Sequence, residues 1–191
     1  MLEKSKATDV AIGSVTQGGA SVESASAGGV FTVQCHDKDG NLKWEASKHN
    51  LVVNAGLQDM NAKYFKGSSY TAAWYIGLYG AGASNTPAAT DTMSSHAGWT
   101  EVTAYSQSTR PAATFGTATT ANPSVQTNSA SPATFSINAT TTVGGAFLTS
   151  DSTKGGTTGI LFSAADFASP GDRSVVSGDT LSVTYTFSLA A

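Results

Sequence analysis

The residue types that most often carry out chemistry in proteins are few in this chain and widely spaced. The histidines His36, His49 and His96 form neither an HxH nor an HExxH pair, and with the single cysteine, Cys35, they make no cluster of zinc-ligand spacing. The chain also lacks the GxSxG motif of serine hydrolases and the GxxxxGK[ST] motif of phosphate-binding loops. We therefore predict no catalytic site, no metal site and no cofactor, and hence a protein that is not an enzyme.

Two acidic residues, one arginine and one tryptophan are the remaining candidates for a polar or binding site. Asp91 and Glu101 are near each other in sequence and could share a cleft, but Ser and Thr surround Asp91, which is typical of a turn residue. Arg110 lies among apolar and hydroxyl-bearing residues, which predicts a buried or interfacial guanidinium with a salt bridge as its default role. Trp99, after Gly98, is the first candidate for an exposed aromatic side chain at a binding surface.

The segment DKDGN resembles the start of a calcium-binding loop, because Asp37, Asp39 and Asn41 occupy alternate positions. Such a loop requires Gly at its sixth position and Glu at its twelfth, where this chain has Leu42 and Lys48. Two runs of strand-like sequence flank the segment, and Asp-Gly tolerates the positive φ of a tight turn. The pattern predicts a β-hairpin rather than a calcium site.

The composition indicates a protein that meets other protein over much of its surface. Only 12% of the residues are charged, about half the usual share of a globular domain, while Ser and Thr number 25 and 26. Short side chains lose little rotamer entropy when an interface forms. The net charge of −3 and the scattered 10 basic residues argue against a nucleic-acid partner. No apolar run has the length of a membrane span or of a signal peptide, so we expect no membrane association and no export by a cleaved signal.

The chain is rich in predicted strands and has one predicted helix. Residues 180–189 alternate without a fault between apolar and hydroxyl-bearing side chains, the strongest strand signal present. Residues 55–66 carry a partial apolar stripe at helical spacing, with Asn54 as N-cap and Gly67 as the stop. About nine strands and a single helix leave no room for parallel crossovers. We predict an all-β fold, an antiparallel two-sheet β-sandwich of jelly-roll type, over residues 29–191, preceded by an arm or linker over residues 1–28.

The predicted core consists of the apolar side chains at the inward positions of these elements. They are Phe31, Val33, Trp44, Leu57, Trp74, Ile76, Leu78, Phe135, Ile137, Phe147, Leu161, Val183, Tyr185 and Phe187.

Several sequence runs over residues 50–190 resemble a group of tailed-bacteriophage virion structural proteins. The runs are a helix after NAGL, an aromatic strand ending in IGLY, the stretch GWTEV to TRP, the strand GGAFL, and the closing GDTLSVTY. The resemblance lies in packing and turn residues, none of them catalytic. It implies a capsid decoration, or cement, protein that is made in the host bacterial cytoplasm and lies on the capsid surface of the virion. Its partners would be the major capsid protein and, in a homo-oligomer, its own copies.

Two other functions remain open at this point. A tail, neck or fibre component would bind a receptor or a carbohydrate, for which Trp74, Tyr75, Tyr79, Trp99 and Tyr105 are available to stack on sugar rings. The apolar strand around Trp74 and Tyr75 favours burial of those two. A β-sandwich hydrolase is disfavoured, because the nucleophile and metal motifs are missing.

The first 28 residues predict either a disordered tail or an arm that becomes ordered against a neighbouring subunit. DVAIGSV, residues 9–15, reads as a short strand, and a Gly/Ser/Ala tract of linker composition follows it. A free strand of this kind can add to the sheet edge of a neighbouring subunit or of its own domain. The interface hypothesis therefore comprises the arm residues together with the two candidates above: Val10, Ala11, Ile12, Val15, Trp99 and Arg110.

Deleting residues 1–20 tests the arm. We expect weaker assembly, because the main-chain hydrogen bonds and apolar contacts of the strand are lost, and a nearly unchanged melting temperature of the domain. Assembly affinity and thermal melting of the truncated and full-length chains are the measurements. Unaltered affinity would reduce the segment to a tail without function.

Overall fold

Antiparallel β-strands form most of the structure, a computed structural model that describes residues 24–67, 73–80, 86–167 and 171–191. Within these ranges there is one helix, α1 (Asn54–Lys66). The strands are β1 (Ser26–His36), β2 (Leu42–His49), β3 (Leu51–Val52), β4 (Tyr75–Tyr79), β5 (Ser124–Thr127), β6 (Ala133–Ser136), β7 (Thr141–Val143), β8 (Gly145–Thr149), β9 (Leu161–Asp166), β10 (Arg173–Val175) and β11 (Thr180–Ala190). The predicted all-β class with one helix is confirmed, as is the antiparallel pairing.

The longest pairing joins β1 to β11 and forms the centre of the largest sheet. The two strands pair at every position from Ser26 with Ala190 to His36 with Thr180. On its other side β1 pairs with β2, while β11 pairs with β6 along its first half and β5 along its second. β1 takes in the last three residues of the predicted arm. Residues 1–23 lie outside the described residues.

The β1–β2 hairpin turns as predicted at residues 37–41. One carboxylate oxygen of Asp37 accepts hydrogen bonds from the backbone N–H groups of Asp39 and Asn41, each at 2.9 Å. The side chain and backbone of Asn41 hold the pKa of Asp37 below its usual value. Gly40 takes a positive φ of 84°. The carboxylate thus closes the turn itself.

A second sheet has the strand order β3-β9-β8-β4, and β7 pairs with β10 in a small separate ribbon. Loop segments cover the outer edge of β4. The N–H of Ile76 donates to the carbonyl of Pro111, and the N–H of Val102 donates to the carbonyl of Leu78. This covering protects an otherwise open sheet edge.

One hydrophobic cluster joins the buried faces of the two larger sheets. The predicted core residues that are buried are Phe31, Val33, Ile76, Leu78, Phe135, Ile137, Phe147, Leu161, Val183 and Tyr185. Three more, Trp44, Trp74 and Phe187, are partly buried at the margin of the cluster. The prediction for Leu57 was wrong, because this side chain is 42% exposed.

The packing of helix α1 against the second sheet explains the exposure of Leu57. Gly56 is the one buried residue of the helix, and a Cβ placed on it would lie 2.4 Å from the carbonyl oxygen of Phe162. The helix therefore contacts the second sheet through its own backbone at Gly56 and through Met60 one turn later. Leu57 points away from that contact.

The helix ends as predicted but begins differently. Gly67 closes it in the left-handed region at φ 64°. Asn54 is the first helical residue and not the N-cap, a position that Val53 occupies without a side-chain hydrogen bond. The predicted cap was therefore wrong by one residue. In the part of the chain that the structure describes, α1 is too short and too polar to cross a bilayer.

Replacing Phe135 by Ala tests the position of the core. Phe135 is fully buried and packs edge-to-face against Tyr105 at 5.0 Å between ring centroids. Losing a buried aromatic ring typically costs about 3–5 kcal/mol of unfolding free energy. The matched control is Val176→Ala at a 43% exposed side chain, for which we expect a change within about 0.5 kcal/mol. Urea titration measures both, and equal effects would contradict this core.

Candidate functional site

Arg110 is buried in a network of loops and does not lie at a surface. Its side chain is 1% exposed and pairs with Glu101 through two hydrogen bonds, from Nε at 2.9 Å and from Nη2 at 2.7 Å. The same guanidinium donates to the backbone carbonyls of Asp151 and Gly156. It also lies over the Phe147 ring at 5.4 Å. Of the two predicted roles, buried or interfacial, the structure has the buried one.

Asp91 is a turn residue, as its neighbours in sequence predict. Its carboxylate accepts a hydrogen bond from the backbone N–H of Ala88 and a second one, at 3.0 Å, from the indole Nε1 of Trp99. The Glu101 carboxylate is bound instead to Arg110. Each acid is thus held by its own donors.

Trp99 is not the exposed aromatic side chain that its position after Gly98 suggested. It is 4% exposed, and its ring stacks on His96 at 3.8 Å between centroids. Tyr79 and Phe147 also pack against the Trp99 ring, at 5.1 and 5.2 Å between centroids. A partner could reach neither Trp99 nor Arg110 without opening the loops that cover them. The other interface candidates, Val10, Ala11, Ile12 and Val15, lie outside the described residues.

Among the described residues, no three His, Cys, Asp or Glu side chains come together in a way that could hold a metal ion. The Cys35 thiol is buried within the largest sheet, and burial raises its pKa to about 11. The thiol is therefore protonated and unreactive at neutral pH.

The surface that does stand out is an apolar groove of about 1150 Å³ beside helix α1, called the α1 groove below. The helix forms one wall, and residues 112–115 with the start of β4 form the other. The end of β11 closes it with Phe187 and Leu189. Phe187 and Leu189, the last two apolar residues of the alternating β11 pattern, thus line the groove together with Tyr185. The earlier ones, Leu181 and Val183, lie in the core.

The floor of the α1 groove is a row of aromatic rings. Trp74 packs edge-to-face on Phe162 at 5.3 Å, and Phe162 packs edge-to-face on Phe187 at 5.5 Å. Phe115 meets Tyr185 in the same way at 6.1 Å. Edge-to-face contacts of this kind hold rings in a fixed arrangement. The floor is therefore a preformed apolar surface.

The Tyr185 hydroxyl below this floor already has hydrogen-bond partners. The Tyr185 hydroxyl accepts a hydrogen bond from Asn50 Nδ2 at 2.8 Å and lies 3.3 Å from the Ser163 hydroxyl, which donates to it. Burial raises the pKa of the Tyr185 phenol, so it remains neutral at physiological pH. The groove can bury apolar side chains.

Two large aromatic side chains stand at the rim of the groove. Tyr64 is 84% exposed and Phe65 is 80% exposed, and their rings meet edge-to-face at 4.9 Å. Single exposed apolar residues are ordinary, but an aromatic pair beside an apolar groove is typical of an interaction site. The partial apolar stripe over residues 55–66 includes both rings and predicts core contacts for them, which was wrong. The small Gly56, four residues before Met60, was the signal for the true buried face of the helix.

Comparison of the chain with protein-family models, with curated proteins and with solved structures finds no match.

Replacing Glu101 by Ala tests the structural role of the buried ion pair. The change leaves the Arg110 guanidinium buried without its counter-charge, which typically costs about 3–5 kcal/mol of unfolding free energy. The matched control is Lys38→Ala, which removes a pair with Asp39 in which both side chains are more than half exposed. Such surface pairs contribute at most about 1 kcal/mol. Denaturant titrations that gave similar losses for both variants would contradict the assigned role.

Proposed function

We propose that this chain is a non-enzymatic structural protein of a tailed-bacteriophage virion. In this proposal it is a capsid decoration, or cement, protein that lies on the capsid surface, binds the major capsid protein and its own copies, and stabilises the shell. The single observation that carries the proposal is the α1 groove with the exposed rings of Tyr64 and Phe65 at its rim.

The groove supports binding to protein rather than chemistry on a small molecule. Its floor consists of aromatic rings, and buried aromatic anchors supply much of the energy of protein interfaces. Each apolar Å² removed from water contributes about 25 cal/mol. The low charge of the chain is consistent with this, since charged residues are depleted at the core of interfaces.

The architecture that fits this role is a two-layer β-sandwich of jelly-roll type. Support comes from the one hydrophobic cluster that the β2-β1-β11 sheet shares with the β3-β9-β8-β4 sheet. A β-sandwich can present a binding surface without a conformational change. Stabilisation of a shell requires contact area more than reactive groups. The proposal needs no cofactor, nucleic acid or membrane.

A tail, neck or fibre component that binds a receptor or carbohydrate is the second candidate. The observation in its favour is the exposed pair Tyr64 and Phe65, because aromatic faces stack on sugar rings. The buried Trp99, Tyr79 and Tyr105 are not available for that purpose. Sugar sites also require several convergent hydrogen-bonding groups, whereas the groove floor is apolar.

Fractionated particles that contain the chain distinguish the two candidates. A decoration protein should be present in hundreds of copies per particle, and its removal should lower the temperature or denaturant concentration at which the shell opens. Quantitative mass spectrometry and shell-melting curves are the measurements. A handful of copies confined to the tail vertex would support the second candidate and contradict the first.

The substitution Phe65→Ser tests whether the groove rim is the binding surface. We expect about a tenfold or greater loss of affinity for shells or for other copies, because an aromatic anchor at an interface typically contributes more than about 1.4 kcal/mol. The melting temperature should change little, since the ring is already exposed. Leu42→Ser is the matched control, an exposed apolar residue in β2 that does not line the groove. Equal affinity of both variants would remove the groove from the interface.

A further inference from the structure

We propose that the α1 groove is the receptor for residues 9–15 of a neighbouring copy of the chain, so that each copy donates its N-terminal segment to the next. The inference rests on the proposed function, because it names the partner that the groove takes when copies assemble. Its occupant is one segment of this chain, residues 9–15, supplied by a second copy.

The N-terminal segment joins the domain beside the α1 groove. Ser24 is the first residue that the structure describes, and Ala25 lines the groove. β1 then runs from Ser26 away from this point, with Ser26 paired to Ala190. The preceding 23 residues are therefore attached at the rim of the groove and not on a distant face of the domain.

The apolar side chains of residues 9–15 match the apolar floor of the groove. Val10, Ala11, Ile12 and Val15 form an apolar group within residues 9–15. In an extended segment Val10 and Ile12 point to one side, since side chains alternate along a strand. Two β-branched side chains on one side match a floor of rings such as Trp74, Phe162 and Phe187, where the transfer from water is favourable.

Residues 16–25 are long enough to carry the segment to an adjacent copy. Residues 16–25 connect the segment to the groove rim and span at most about 33–36 Å when extended. A domain of this length has a radius of gyration of about 16 Å. The connector is therefore long enough to cross a contact between adjacent copies. Its Gly/Ser/Ala composition carries few side chains that would obstruct such a crossing.

The proposed assembly of copies side by side favours a neighbouring copy as the donor of the segment. Copies held side by side on a shell raise the effective concentration of each other's segments into the mM range. When each copy donates its segment to the next, the copies form a ring if the rotation that relates neighbours closes on the first copy.

Disulfide trapping between two different full-length variants tests the proposal. One variant carries Ile12→Cys and the other Gln126→Cys, a partly buried position that lines the groove. The native Cys35 stays in both, since it is buried. After mixing under assembling conditions and mild oxidation, we expect a covalent pair that contains one chain of each variant. Replacing Gln126→Cys by Ser177→Cys, an exposed site that does not line the groove, should reduce this product at least tenfold.

Besides the absence of the mixed product, two outcomes would overturn the proposal. One is a mixed product of equal yield with the Ser177→Cys control. The other is a chain carrying both Ile12→Cys and Gln126→Cys that links within itself in preference to a second chain, which would place the segment in its own groove. Decorated particles without the mixed product would refute this inference and leave the proposed function standing. If the mixed product forms but the protein is scarce on particles, the proposed decoration function is refuted. The donation of residues 9–15 between copies then still holds.

Discussion

The antiparallel pairing of β1 with β11 is the contact on which the other elements depend. It runs without interruption from Ser26 to His36 and places β2 on one side and β5 and β6 on the other. The side chains on its buried face, among them Phe31, Val33 and Tyr185, enter the cluster shared with the second sheet. Gly29 lets the two strands and the Tyr185 ring approach closely, because a Cβ there would lie 2.7 Å from the Tyr185 hydroxyl. This pairing therefore sets the position of both the core and the groove.

The groove forms because Gly56 lets helix α1 pack closely against the second sheet. Gly56 brings the backbone of α1 against Phe162, so the helix lies low on the second sheet and turns Gly56 and Met60 inwards. Tyr64 and Phe65 are then left in solvent at the edge of an aromatic floor. Exposed rings of this size are unfavourable in an isolated protein and favourable when a partner covers them. The helix geometry thus supplies the physical reason for the proposed assembly surface.

The sequence predicted local elements such as strands and turns well. It predicted less well which side chains become buried through tertiary contacts. Alternation in residues 180–189 predicted β11, and Asp37 to Asn41 predicted the hairpin turn, because both depend on neighbouring residues alone. Whether Leu57 or Gly56 faces the sheet depends on a partner, Phe162, that is about a hundred residues away in the chain. The burial of Trp99 likewise depends on Tyr79 and Phe147, which are distant in the chain. That of Arg110 depends on the carbonyls of a distant loop. No spacing rule encodes such contacts.

Oxidative footprinting of the aromatic rim tests the central claim most directly. Hydroxyl radicals label exposed rings, and Tyr64 and Phe65 are the most exposed large apolar side chains among the described residues. We predict strong labelling of both in the free protein and protection of both in the assembled state. Labelling of the exposed Leu42 in β2 should be equal in the two states. If Tyr64 and Phe65 are labelled as strongly in the assembled state as in the free protein, the α1 groove is not the assembly surface.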